Sequence, residues 1–364
     1  MYKDDDPRFS SPEPTCATEC TSESDPHEEA SDNAQDLTPL TALTSPLAAD
    51  DIAARSPPHK RAKVSSAQLE PNEFPPCAVL GRYGGHTLAL LRSQERQLAL
   101  FEPDRCRAIL LSQRRMLINW FIELSVSFDL NNASVHLAAS LLDRYLLCEE
   151  ETDLGCMALG AACIWVSTKY EEIYDEDVES GQALTAQDLL ESSRGRLDAT
   201  ELVLWAEREL LTVVDFNLSA PTAHTFLVGF IAAAVSELRA GERCTRPARA
   251  TSHAISRLEG LANYLLDLTL IRSTLFGHLP SHLAAAALRL ALHTLCSSQW
   301  TPLLARITGW STQELAAPVR LLLEAFQHDA AAGSYCSESR RKYSSPRHHR
   351  VSVLPPKGCP PFAC

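Results

Sequence analysis

The 364-residue sequence lacks most features that mark secreted, metal-binding or catalytic proteins. Its twelve cysteines include no C-x-x-C pair, and neither they nor the twelve histidines have zinc-site spacing. Its 14 glycines build no phosphate-binding loop. Unpaired cysteines and an N-terminus without a signal peptide favour a reducing compartment. We therefore expect no metal, no cofactor and no catalytic centre.

Long hydrophobic runs and basic charge are also lacking. No uncharged apolar run is long enough to span a bilayer, so we expect a soluble protein without membrane contact. The net charge is −13, whereas a general nucleic-acid binder normally carries a basic field, so we expect no nucleic-acid partner. Aromatic residues make up only 7%, and abundant Ala and Leu favour helices over strands.

The first 78 residues have the composition of a disordered acidic tail. They contain acidic clusters such as residues 4–6, several Ser-Pro and Thr-Pro steps and almost no aromatic residues. One basic run, residues 58–63, interrupts the tail and resembles a short nuclear import signal built from Lys60, Arg61 and Lys63. We therefore expect a nuclear protein that can shuttle to the cytoplasm.

Beyond residue 78 the apolar pattern is helical and repeats itself. Residues 116–124 place apolar side chains on one helix face, and residues 157–166 are apolar all round, as in a helix buried on every side. The heptapeptide ending at Asp143 aligns with the one ending at Asp267, and the same offset aligns small-residue stretches in the helices that follow. Two helix pairs at one offset predict two similar helical domains in tandem.

Residues 114–124 read R-R-M-L-I-N-W-F-I-E-L, which resembles the first helix of a cyclin box, written M-R-x-I-L-x-D-W-L-x-E-V in that family. The resemblance continues in five further segments: 137–146, 169–174, 216–222, 279–287 and the closing 342–354. Together these motifs identify the chain, over about residues 83–356, as a member of the cyclin family of the mitotic A/B type.

The resemblance implies an all-α fold with two tandem five-helix cyclin boxes behind the disordered acidic tail. We predict four parts: the tail at 1–78, the N-terminal box with its preceding helix at 79–218, the C-terminal box at 219–335 and a C-terminal extension at 336–364. The implied function is that of a regulatory subunit, not an enzyme. It would bind and allosterically activate a cyclin-dependent Ser/Thr kinase and recruit substrates in S phase or G2/M.

Two alternatives remain beside that function. A cyclin-fold scaffold that has lost its kinase would not need Lys169 and Glu207, and this chain keeps both. A transcription-type cyclin-box protein would need a basic surface for nucleic acid, but acidic residues outnumber basic ones over residues 76–336.

By resemblance, Lys169 and Glu207 form much of the kinase contact. The residues that the resemblance places around them are Tyr83, Tyr170, Leu211 and Phe216. The alternatives are solvated surface charges for the pair and core packing for the apolar residues. Arg114 and Asp143 match a family pair that joins the first two helices by a buried ion pair, because a lone buried charge is costly.

The resemblance also implies a shallow apolar patch that docks R-x-L motifs of substrates and inhibitors. Its residues are Met116, Leu117 and Trp120, with Glu123 facing the basic residue of the motif, and Gln113 and Met157 also belong to it. Gln113 stands where the family usually has Met and Met157 where it usually has Gln, so the preferred motif can differ. An exposed Trp120 would mark a partner surface, and the alternative is that Trp120 is buried in the core.

Overall fold

The computed structural model describes residues 84–97, 108–148, 155–172, 183–241, 248–296, 299–333 and 337–360. The regular elements of this part of the chain are α-helices and short 3₁₀ turns, as the all-α prediction requires. The helices are α1 Gly84–Glu95, α2 Ala108–Ser127, α3 Asn132–Cys148, α4 Cys156–Glu171, α5 Ala186–Ser192, α6 Thr200–Val213, α7 Ala223–Gly241, α8 Ala248–Ile271, α9 Pro280–Cys296, α10 Pro302–Thr308, α11 Ala316–Ala331 and α12 Glu338–Tyr343. The predicted tail disorder, the import run and Tyr83 lie outside the described residues.

Two hydrophobic cores organise these helices. The first is built by α2–α6 around α4, and the second by α7–α11 around α9. Each central helix is rich in small residues and buried over most of its length, which lets its neighbours approach from several sides. The prediction of two tandem five-helix domains is confirmed. The domain boundaries themselves remain predictions.

The first helix packs on the second core, although it precedes the first domain in the chain. Leu88 of α1 is part of the second core. Glu95 is buried and accepts hydrogen bonds from the backbone N–H and the hydroxyl of Ser281, at 2.9 Å and 2.8 Å. These bonds satisfy a donor at the start of α9, whose first N–H groups have no partner within the helix. Burial raises the pKa of Glu95, and the two bonds to Ser281 oppose that shift.

A buried polar cluster joins both domains to the C-terminal extension. His136 of α3 lies 3.2 Å from a carboxylate oxygen of Asp267 on α8, and its ring stacks on His224 of α7. Lys342 of α12 donates to the amide oxygen of Asn132 at 2.6 Å. The pKa of His224 is lowered to about 3, mainly by burial and to a smaller extent by the positive charge that the neighbouring His136 can carry. The His224 ring is therefore neutral at physiological pH. The cluster fixes α12 across the junction of the two cores.

Candidate functional site

The structure brings Lys169 and Glu207 together as an ion pair on the surface of the first domain. Lys169 lies in the last turn of α4, where a positive charge is favoured, and Glu207 lies in the middle of α6. The Lys169 ammonium also lies 3.8 Å from the ring centre of Trp165. The Lys169 side chain is 45% exposed and that of Glu207 19%, so a partner can reach both.

Exposed apolar side chains lie on the two helices that carry this pair and on the segment after α6. Tyr170 is 51% exposed and Phe216 is 70% exposed, whereas Leu211 is half-buried and packs against the first core. Leu204 is 50% exposed and lies three residues before Glu207 on α6, hence on the same helix face. We call these residues, with the ion pair, the Lys169–Glu207 surface. No motif or spacing in the sequence marks Leu204 as exposed, because a leucine in an amphipathic helix is usually a core residue.

Phe216 is held in an unusual backbone conformation. Its φ of 53° lies in the left-handed region, which costs about 1–3 kcal/mol for a bulky residue and persists only where the surroundings impose it. Arg144 of α3 supplies part of that constraint, because it donates to the carbonyl oxygens of Val214 at 3.0 Å and Asn217 at 2.6 Å. Arg144 is therefore a positioning residue for Phe216, a role that no sequence motif indicated.

Arg114 and Asp143 form a two-bond ion pair between α2 and α3. The Arg114 Nε and Nη2 atoms lie 2.5 Å and 2.9 Å from the two carboxylate oxygens of Asp143. Nη1 also donates to the carbonyl oxygen of Leu270 in α8 at 2.5 Å, and the guanidinium lies 4.2 Å from the ring centre of Phe276. The pair joins α2 to α3, as the resemblance implied, and additionally ties the first domain to the second.

The expected exposure of Leu117 and Trp120 is wrong. Their side chains are 1% and 3% exposed, and Met157 is buried as well. For Leu117 the physical reason is the close approach of α4: a Cβ atom at Gly160 would lie 2.4 Å from Leu117 Cδ2, so a larger residue there would force Leu117 to shift. Most of the apolar stripe of α2 is therefore core.

The margin of the expected patch stays partly exposed. Gln113, Met116 and Glu123 are half-buried on α2. The turn between α5 and α6 covers part of this margin, because Arg194 pairs with Glu123 and Arg196 Nη1 lies 3.1 Å from the Met116 sulfur. Within the described residues, the Trp120 indole N–H is buried and has no hydrogen-bond partner.

Two further features of the described part of the chain concern metal ions and membranes. Its His, Cys, Asp and Glu side chains include no group of three that could hold a metal ion. None of its helices has both the length and the hydropathy needed to cross a bilayer.

Two family models match the sequence in tandem. "Cyclin, N-terminal domain" matches residues 88–219, and "Cyclin, C-terminal domain" matches residues 221–357. Together they cover both hydrophobic cores, α12 and the part of α1 from Leu88 onward. The Lys169–Glu207 surface lies within the first match. The helices α8 and α9, which repeat the α3–α4 pair of the first domain, lie within the second match.

Curated relatives include A-type cyclins from plants and animals. Cyclin-A2-2 of Arabidopsis thaliana is 32% identical over 72% of this chain and 55% of its own length. G2/mitotic-specific cyclin-A of Hydra viridissima is 31% identical over 69% and 54%, and human Cyclin-A2 is 29% identical over 70% and 52%. The chain thus spans about half the length of these relatives.

Among solved structures, a viral cyclin from herpesvirus saimiri superposes with a TM-score of 0.50 at 20% identity. The match covers 66% of this chain and 97% of the viral protein. At that identity the likeness supports the two-domain helical fold.

Proposed function

Since the chain belongs to the cyclin family, we propose that it binds a cyclin-dependent Ser/Thr kinase and switches it on without itself being an enzyme. The observation that carries this proposal is the Lys169–Glu207 surface. It combines an accessible ion pair with Tyr170, Leu204 and Phe216, which are large apolar side chains at least half exposed. A strained backbone and an exposed large apolar side chain both cost free energy, so their combination at Phe216 supports a partner that covers this residue.

The mechanism that fits this surface is allosteric. In protein kinases a strand Lys must pair with a Glu of helix αC before phosphoryl transfer is competent, and the position of αC controls that pairing. A rigid helical surface that binds the active position of αC better than the inactive one shifts the kinase towards activity. The contacts of Arg114 with Leu270 and of His136 with Asp267 join the two domains and supply the rigidity. We propose that this activation serves S phase or G2/M; the name of the Hydra relative, G2/mitotic-specific cyclin-A, supports the second of these.

A kinase assay tests the proposed function. The purified chain alone should transfer no phosphate from ATP, and its addition to a cyclin-dependent kinase should raise the turnover of a peptide substrate. The same kinase with a heat-denatured sample of the chain is the control. Phosphotransfer by the chain alone, or no change in kinase turnover with any cyclin-dependent kinase, would contradict the proposal.

We also propose that the margin formed by Gln113, Met116 and Glu123 docks R-x-L motifs. The half-buried Met116 and Glu123 side chains support this, because they offer an apolar and an acidic contact to such a motif. The Arg194 side chain is 68% exposed, so its bond to Glu123 is weak enough for the basic residue of a motif to replace it.

Substrate docking gives a prediction that avoids the buried residues. Replacing Met116 and Glu123 with Ala should weaken phosphorylation of R-x-L substrates roughly fivefold, the equivalent of about 1 kcal/mol at an exposed site. Short peptides without the motif should be unaffected, because they reach only the kinase active site. The kcat/KM of both substrates checks this, with Arg115→Ala on the same helix as the control. Equal loss on both substrates would remove the docking role.

Nuclear import remains a proposal that rests on the basic run in the tail. Replacing Lys60, Arg61 and Lys63 with Ala should shift a fluorescent fusion towards the cytoplasm, because import receptors read clustered positive charge. The nuclear-to-cytoplasmic fluorescence ratio measures the shift, and a Lys3→Ala/Arg8→Ala variant of the same tail is the control. A triple variant as nuclear as the parent protein would place the signal elsewhere.

A further inference from the structure

A cleft of about 610 Å³ separates the C-terminal end of α2 from the C-terminal extension. One wall is the end of α2 with the α2–α3 turn, which contributes Val126 and Asp129. The other wall is α12 and the segment after it, which contributes Arg341, Ser345 and Arg347. The Lys169–Glu207 surface contributes no residue to the lining, so the cleft is a separate feature.

Ser345 has the local geometry of a proline-directed phosphorylation site. It is followed by Pro346, which is exposed, and Ser345 itself is half-buried at the wall of the cleft. Its backbone is extended, with φ −69° and ψ 152°, as the residue before a proline prefers. Proline-directed kinases recognise a Ser in this setting. The cleft beside the side chain leaves room for an added phosphate.

Two guanidinium groups share the cleft with Ser345. Arg347 is 68% exposed and pairs with Asp129. Its Nη1 and Nη2 atoms lie 2.7 Å and 2.9 Å from the two carboxylate oxygens of Asp129. Arg341 is 56% exposed and pairs with Glu338. Exposed ion pairs of this kind are worth about 0–1 kcal/mol, whereas a phosphate carries nearly two charges and three acceptor oxygens. A phosphate on Ser345 can therefore take over one or both cations.

We propose that Ser345 is phosphorylated by a proline-directed Ser/Thr kinase and that Arg341 and Arg347 then hold the phosphate in the cleft. In the step, the Ser345 hydroxyl oxygen attacks the γ-phosphorus of ATP, the bond from that phosphorus to the β–γ bridging oxygen breaks, and ADP leaves. The hydroxyl proton passes to the base of the kinase. Arg347 exchanges Asp129 for the phosphate, which releases the tie between the extension and the α2–α3 turn. The proposal does not depend on which kinase this chain activates.

Mass spectrometry tests the modification. The full chain is incubated with ATP and a proline-directed kinase of the mitogen-activated type, which is active without a cyclin. Phosphate is expected on Ser345 and should be lost in Pro346→Ala, while the exposed neighbour Ser344, which no proline follows, stays unmodified. Phosphate on Ser45 and Ser56 of the tail, with none on Ser345, would overturn the proposal.

A phosphorus NMR titration tests the two-arginine contact. The second pKa of the phosphoserine should lie below its usual value of about 6, because nearby cations favour the dianion. In an Arg341→Ala/Arg347→Ala variant it should return towards that value; both side chains are exposed, so the fold is retained. An identical phosphate pKa in both proteins would overturn the contact. The other charged or titratable groups lining the cleft, also present in the variant, are Glu123, Asp129, Glu172, Glu338, Lys342 and His348.

Discussion

Replacing Arg114 with Ala is expected to lower the free energy of unfolding by about 3–5 kcal/mol, the cost of removing one partner of a buried ion pair. Arg114 is 3% exposed, and its loss would leave the Asp143 carboxylate, itself 20% exposed, without its two hydrogen bonds. The substitution would also remove the donor to the Leu270 carbonyl, so the two domains would lose a direct link. Urea denaturation followed by circular dichroism measures the change.

The neighbouring Arg115 provides a matched control for this prediction. It lies on the same helix, has the same side chain and is exposed, so Arg115→Ala should change the stability by no more than about 0.5 kcal/mol. If Arg114→Ala were no more destabilising than Arg115→Ala, the ion pair would be worth no more than a solvated charge. Kinase binding by the Arg114→Ala variant is measured below the melting temperature of that variant. This measurement separates the effect of losing the inter-domain link from the effect of lower fold stability.

The sequence was sufficient for the fold because helix periodicity and the internal repeat are local signals. The heptapeptides ending at Asp143 and Asp267 do lie on corresponding helices, α3 and α8, each followed by a central helix rich in small residues. The same motifs suggested the partnership of Arg114 with Asp143. They carried no information on the bond from Arg114 to Leu270, which is 156 residues away and exists only once the two domains pack.

Exposure was the property that the sequence could not decide. The apolar stripe that contains Trp120 fits a docking patch and a core equally well, and the choice depends on tertiary packing, of which the contact of Leu117 with Gly160 of α4 is one example. Leu204 is the opposite case, because a leucine in a helix suggests a core residue but this one is half exposed. The buried face of α6 is formed by Val203, Ala206 and Leu210. The packing of α1 on the second core depends likewise on a contact between Glu95 and Ser281, which are distant in sequence.

Replacing both Lys169 and Glu207 with Ala is expected to raise the Kd for the kinase by roughly two to four orders of magnitude. In the proposed complex each charged side chain would bond to the kinase in a buried interface, and such charge-assisted bonds are worth about 1.5–3 kcal/mol each. Losing both bonds gives the stated change in affinity. A binding isotherm by titration calorimetry measures the Kd, and a thermal melt of the free chain is recorded beside it.

The free protein should tolerate the same double substitution, which is what distinguishes a contact role from a structural one. The pair is partly exposed, so it contributes about 1 kcal/mol or less to the folded state, and the contact of Lys169 with the Trp165 ring adds about 0.5–1 kcal/mol. The matched control is Glu338→Ala/Arg341→Ala, an ion pair of similar exposure on α12. It should leave the Kd unchanged. An unaltered Kd for the Lys169/Glu207 variant would remove the pair from the interface, and a collapsed melt would make it a structural element of the first domain.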